Sequence, residues 1–203
     1  MKRGWLIAFE GVDGSGKTTQ VARLADALRA LGLDVVTTRE PTDGRFGQRI
    51  RAMATSGEPA APHEELRWFI ADRREHVKET VAPALERGAV VVTDRYFLST
   101  VAYQGARGHE PGELLARSEA EFPLPDLVIL LEIPPAGGLE RVHRRGASEP
   151  AFEKPEYLEA VAAIFHGVER EYVERVEATA DPDTVHARVW YIVAERLGLP
   201  DGS

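Results

Sequence analysis

Cysteine is absent from the 203-residue sequence, which removes disulfides, thiolate catalysis and cysteine-ligated zinc together. A chain without disulfides fits a reducing compartment, and the expected location is the cytoplasm. The six histidines are scattered, with no H-E-x-x-H pair, so they do not read as a zinc site. No apolar stretch approaches the roughly 20 residues that span a bilayer, and no membrane association is expected. The run WLIAF at 5–9 stops at Glu10. Although Lys2 and Arg3 precede that run, no small-residue cleavage pattern follows it, so it reads as a strand and not as a secretory leader. Positive charge is also scarce: 25 Lys and Arg against 33 Asp and Glu leave a net charge of −8. Such a surface repels polyanions, which argues against a nucleic-acid polymer as partner and confines any basic site to a local patch. Internal repeats, low-complexity tracts and a linker are missing too, so residues 1–203 are expected to form one domain.

What remains is a regular alternation. Four apolar runs rich in β-branched residues, at 5–9, 35–38, 89–93 and 127–133, read as fully buried strands, and a fifth strand is expected at 176–179. Helical spacings lie between and after them. Val21, Leu24, Ala25, Leu28 and Leu31 recur at three and four residues, with Gly32 placed to end the helix. Val185, Val189, Ile192, Val193 and Leu197 mark a last helix in the same way. Alternating strands and helices predict an α/β fold, with a parallel sheet covered by helices on both faces. The segment 134–155 differs from the rest. It joins Pro134, Pro135, Gly137, Gly138, Gly146, Pro150 and Pro155 to Arg141, Arg144 and Arg145, which suggests a short basic helix between hinges, a lid.

Directly behind the first predicted strand stands GVDGSGKT: Gly11, Val12, Asp13, Gly14, Ser15, Gly16, Lys17 and Thr18. This G-x-x-x-x-G-K-T pattern between a strand and a helix is a phosphate-binding loop. Consecutive backbone N–H groups wrap a phosphate only where side chains leave room, and glycine leaves it. The helix that follows turns its partly positive end to the anion. Lys17 is placed to reach the outer phosphates of ATP, and the Thr18 hydroxyl suits Mg²⁺. Asp94 is the second candidate Mg²⁺ ligand.

Asp94 and Arg95 end the third strand, and ligands of open parallel sheets collect beyond the carboxyl ends of strands. The Arg95 fork can clamp oxygens of two phosphates at once; a structural Asp94–Arg95 ion pair is the competing reading. In the following segment Ser99, Thr100, Tyr103 and Gln104 share a helical face, suited to a base and sugar or simply to solvent. Phe69 and Arg73, four residues apart, place a ring and a guanidinium on one helix face, although a core phenylalanine and a surface ion pair would use the same spacing.

FEGVDGSGKTTQ, TREP, FIADRREH and DRYFLSTVAYQG, in this order and spacing, resemble the thymidylate kinase family over nearly the whole chain. The DRY-x-x-S-T-x-A-Y-Q signature is the most specific of these. The resemblance implies a P-loop kinase fold, transfer of the ATP γ-phosphoryl group to dTMP, and a homodimer. It implies that Phe69 stacks on thymine, that Arg73, Thr100 and Gln104 address the base edge, and that Tyr103 crowds the place of a ribose 2′-hydroxyl. Arg51 and Arg95 would hold the dTMP phosphate, with Asp13 and Glu40 near the sugar, phosphate and Mg²⁺. Lys17, Asp13, Arg95 and the lid arginines Arg141, Arg144 and Arg145 form the catalytic set. Helical spacing puts Arg141 on one face with Arg144 and Arg145, so more than one is expected at the phosphates. Two departures stand out: Thr42 and Asp43 follow TREP where the family often has two glycines, and Pro150 and Ala151 replace an Asp-Arg pair in the lid. Two other functions fit the loop: a kinase for another nucleotide or deoxynucleoside, and a switch that hydrolyses ATP slowly.

Overall fold

The computed structural model of the chain describes residues 3–56, 58, 60–144 and 154–199. Five parallel strands, β1 (Leu6–Glu10), β2 (Val35–Arg39), β3 (Val90–Asp94), β4 (Leu127–Glu132) and β5 (Val173–Glu177), form one sheet in the order β2-β3-β1-β4-β5. The helices, in chain order, are α1 (Lys17–Ala30), α2 (Arg45–Ser56), α3 (Pro62–His76), α4 (Ala82–Glu86), α5 (Phe97–Gly105), α6 (Pro111–Glu121), α7 (Pro135–Arg144), α8 (Pro155–His166) and α9 (Pro182–Leu197). One turn of π-helix, Val77–Val81, joins α3 to α4.

The unbroken apolar runs follow from burial on both sides. Leu6 and Ala8 of β1, Val91 of β3 and Val128 and Leu130 of β4 face one core with residues of α3 to α6 and α8. Ile7, Phe9, Val90, Val92, Ile129 and Leu131 face the other, against α1 and α9. Successive strand residues point to opposite faces, so both sets must be apolar when both faces are covered. Gly32 ends the first helix as its position suggests, with φ of 79° just beyond α1. Asp181 caps α9 by accepting from the Asp183 and Thr184 backbones.

The fifth strand departs from expectation. It runs from Val173 to Glu177, earlier than 176–179, and within it Val176 is the one buried residue. As an edge strand it carries charge along VERVE, which blunts an exposed edge and hides the apolar signal that marks the inner strands. The lid region contains α7, a ten-residue helix, while Arg145 and Pro150 to Glu153 lie outside the described residues.

Candidate active site

At the carboxyl end of the sheet, β1 stops at Glu10 and the chain turns through the loop into α1. Gly16 caps this helix with φ of 98°, a left-handed backbone that favours glycine. Lys17 is buried, and its ammonium donates to the Gly11 and Val12 carbonyls at 3.0 and 2.9 Å. Burial, aided by nearby Arg95 and opposed by Asp13, Asp94 and Glu10, pulls its pKa down to about 8. A bound polyphosphate favours the charged form, so ATP binding is expected to take up a proton as pH rises through 8, with affinity falling over that window. Titration calorimetry in buffers of different ionisation enthalpy measures that uptake. Equal heats in all buffers at pH 8 to 9 would contradict it.

The loop rests directly on the first turn of α7, in the segment expected to be a lid. A Cβ on Gly14 would stand 2.1 Å from the Gly138 carbonyl oxygen, and one on Gly138 would stand 2.3 Å from that of Asp13. Both positions therefore admit only glycine without backbone movement, and α7 is seated against the loop by main chain. Of the lid arginines, Arg141 reaches back: its guanidinium donates to the Ala178 carbonyl at 3.2 Å and, at 3.4 Å each, to those of Gly14 and Thr179. Arg144 turns away to pair with Glu140 one turn earlier, in solvent. The shared face expected for these two is thus split by a local i, i+4 ion pair.

Arg95 has φ of 71°, uncommon for a side-chain-bearing residue. Its N–H donates to the Phe9 carbonyl at 2.9 Å, and its own carbonyl accepts from the Thr93 hydroxyl at 2.8 Å. Held so, the guanidinium does not pair with Asp94. It donates to Asp13 Oδ1 at 2.5 Å and to Ser99 Oγ at 2.8 Å, while Tyr103 donates to the other Asp13 oxygen at 2.8 Å. Burial raises the Asp13 carboxyl, but Arg95, Lys17 and the Tyr103 hydroxyl outweigh it and hold the pKa at about 2. Behind this group lies Glu10, fully buried. It accepts from the Tyr96 and Ser99 backbones and from the Ser99 hydroxyl, tying the start of α5 to the loop. Burial lifts its pKa to about 7 against those bonds and the Arg95 charge.

A cleft opens beside Arg95, lined by Asp13, Arg51, Phe69, Arg95, Ser99 and Tyr103 among others. Arg51 donates to the Pro41 carbonyl at 2.9 Å and to Asp43 at 3.0 Å. Arg73, Thr100 and Gln104 do not line this cleft. They are buried between α3 and α5, where Arg73 donates to Thr100 Oγ1 at 2.9 Å and to the Tyr96 carbonyl at 3.1 Å. Glu40 lies deeper still. One carboxylate oxygen accepts from Arg73 Nε and Nη2 at 2.8 and 2.6 Å, and the other accepts from His76 Nδ1 at 2.9 Å. In this structure it is engaged by Arg73 and His76, a pairing the TREP segment alone did not disclose. The chain after Glu40 is pinned without the paired glycines: Asp72 accepts from the Thr42 N–H and hydroxyl at 2.8 and 2.6 Å.

Thr18 and Asp94, the candidate metal ligands, meet: the hydroxyl donates to the carboxylate at 2.6 Å. Among the described residues no cluster of three or more acidic or histidine side chains is arranged to hold a metal. Sequence reasoning singled out neither Glu10, Asp72 and His76 as parts of this machinery nor Glu65, which is bonded to Gln104 at 2.6 Å. Helical spacing carried a signal for Glu65, since it precedes Phe69 by the same four residues that separate Phe69 from Arg73.

The profile of the family described as "Thymidylate kinase" matches residues 9–189. A thymidylate kinase of Desulfotalea psychrophila is 46% identical over 97% of both chains. Proteins of the same name from Akkermansia muciniphila and Xylella fastidiosa are 45% and 43% identical, over 93% and 98% of this chain and 90% and 91% of theirs. A P-loop seated on a glycine lid, an arginine between loop and cleft, and this breadth of similarity lead to one assignment: the chain belongs to the thymidylate kinase family.

Proposed function

We propose that the chain transfers the γ-phosphoryl group of ATP to dTMP, giving ADP and dTDP for dTTP synthesis. One observation carries the reading beyond family membership. The Arg95 guanidinium lies between the phosphate loop, through Asp13 and the Gly11 carbonyl, and the cleft that holds Phe69. A single cation there touches both the donor and the acceptor phosphates.

The nucleophile is a phosphate oxygen of dTMP, whose second ionisation near pH 6 leaves it anionic at neutrality, so a strong general base is not required. The work left to the protein is to align two polyanions and stabilise the charge on the transferring group. Lys17 leaves its two carbonyl partners for the outer phosphates. Arg95 and Arg51 take the acceptor phosphate, and Asp13 keeps Arg95 in place from the loop side. Phe69 offers a flat face to the thymine, and the family resemblance gives the base edge to Arg73, Thr100 and Gln104, which lie buried behind the cleft wall. Tyr103, fixed by its bond to Asp13, fills the space of a ribose 2′-hydroxyl. Arg141 is the lid cation nearest the loop.

Mg²⁺ is the proposed metal, and the residues fit it. Thr18 and Asp94 supply two hard oxygen donors, the sparse protein share usual where substrate phosphates and water complete the shell. When bound it screens the β- and γ-phosphate charge. The proposed setting is the cytoplasm. Among the described residues no helix is long and apolar enough to cross a membrane. A homodimer is proposed on the family resemblance, and sedimentation equilibrium tests it.

A coupled assay with ATP and Mg²⁺ against dTMP, dUMP, dCMP, AMP and thymidine tests the activity. dTMP is expected to give the highest kcat/KM. ATP consumption without a phosphorylated small product, or preference for AMP, would overturn the reading.

A further inference from the structure

Glu65, Phe69 and Arg73 recur at four-residue intervals along α3, one above the other. Facing them, Thr100 and Gln104 are one turn apart on α5. The helices are crosslinked on either side of Phe69. One turn after it, Arg73 donates to Thr100; one turn before it, Gln104 Nε2 donates to Glu65 Oε1 at 2.6 Å. Three polar atoms at these crosslinks are buried without a hydrogen-bond partner: Glu65 Oε2, which faces the Arg107 guanidinium, and Arg73 Nη1 and Gln104 Oε1, which face no counter-charge of their own. Buried polar atoms are nearly always paired, so these last two, at crosslinks one turn to either side of Phe69 along α3, mark a place that a ligand completes. One is a donor and the other an acceptor.

That second character is not intrinsic to glutamine, whose amide has a donating and an accepting end. It is decided behind the side chain. An ionised carboxylate only accepts, so Glu65 takes the NH₂ end and leaves the oxygen free. Burial outweighs the Gln104 amide, Arg107 and His109 and leaves the Glu65 carboxyl above its ordinary value, so its charge rests on the contact with Arg107. Arg107 Nη2 stands 3.1 Å from Glu65 Oε2, a cation placed to keep the carboxylate charged.

We propose that Glu65 is a specificity-determining positioning residue: by fixing the Gln104 amide with its oxygen free, it selects a pyrimidine whose N3 carries a hydrogen. This rests on the dTMP reading above. A donor at Arg73 Nη1 and an acceptor at Gln104 Oε1 match the adjacent C4 carbonyl and N3–H of thymine or uracil. Cytosine presents an amino group and a bare nitrogen there, opposed at both points.

Glu65→Gln tests it, because a glutamine at 65 pairs with Gln104 in either orientation and the amide is no longer fixed. The dTMP-to-dCMP ratio of kcat/KM is expected to fall by about tenfold, carried by a lower KM for dCMP and a higher KM for dTMP. The dTMP-to-dUMP ratio is expected to stay within about twofold, since both bases carry N3–H. General loosening of the pocket would lower both ratios, and that result, or an unmoved dCMP ratio, overturns the proposal. In a Gln104→Ala background Glu65→Gln is expected to leave the dCMP ratio unchanged; a persisting shift means that Glu65 acts otherwise. A measurement on the unaltered chain serves if Glu65→Gln does not fold. The Gln104 side-chain NH₂, assigned by its loss in Gln104→Ala, is expected to be exchange-protected in NMR before and after dTMP is added. An NH₂ that is freely exchanging in the free protein and protected only by dTMP refutes the assignment. Wild-type protein that fails to phosphorylate dTMP at all brings down the underlying reading, whereas wild-type preference for dTMP with an indifferent Glu65→Gln removes the role of Glu65 alone.

Discussion

Arg95→Ala is expected to lower kcat for dTMP phosphorylation by about a thousandfold or more, equivalent to roughly 4 kcal/mol of transition-state stabilisation. The size follows from position. Arg95 reaches Asp13 and the Gly11 carbonyl of the loop on one side and borders the acceptor cleft on the other. Lys17 lies on the donor side, bonded to loop carbonyls, and Arg51 is engaged with Asp43 and the Pro41 carbonyl. Neither can take over the fork proposed to span both phosphates. The fold should survive, because the held backbone at φ of 71° is bonded through its own N–H and carbonyl, which alanine retains. The Asp13 carboxylate left behind is 39% exposed and can be hydrated. Arg95→Lys keeps a charge without the fork and should fall between the two. Single-turnover kinetics separates chemistry from binding, and circular dichroism checks the fold. Turnover within tenfold of wild type in a folded Arg95→Ala protein would contradict this role.

Expectation and structure agree where one residue type meets one demand, and part where a side chain is claimed by a neighbour the sequence cannot place. The inner strands were legible because burial on two faces leaves long apolar runs. The edge strand β5 was misplaced because a single buried valine, Val176, carries no period. The turn from β1 into α1 was legible because its glycine spacing answers to a backbone demand, met by Gly16 at φ of 98°. Asp94 and Arg95 show the limit. As neighbours they invite an ion pair, yet the chain reverses between them, sending the carboxylate to Thr18 and the guanidinium to Asp13. Glu40 shows another. TREP places it at the end of β2, but its partners Arg73 and His76 lie 33 and 36 residues further along the chain, so its burial was invisible until α3 docked. In the lid, helical periodicity grouped Arg141 with Arg144, and a local carboxylate, Glu140, separated them.

Glu40→Ala is expected to destabilise the protein by about 3–5 kcal/mol, because it leaves the Arg73 guanidinium buried without its counter-charge. Both partners are nearly inaccessible, with side-chain exposures of 2% for Arg73 and 5% for Glu40, so water cannot substitute. For a chain of this length the loss corresponds to a fall in Tm of roughly 6 to 20 °C by calorimetry. The pH dependence has a definite sign. Burial raises the Glu40 carboxyl, yet Arg73 and His76 outweigh it and hold it below its ordinary 4.5. Its contribution is therefore complete above that value and is lost as pH falls through the lowered pKa, so the gap between wild type and Glu40→Ala should narrow in acid. Adding Arg73→Met removes the stranded charge and replaces it with an apolar chain of similar length. The double variant should recover part of the stability of Glu40→Ala but none of its capacity to turn over dTMP, since the donor beside Phe69 is gone. Equal stability of Glu40→Ala and wild type at pH 7 would mean that Arg73 finds another anion, and the pair would then have no part in holding the base site together.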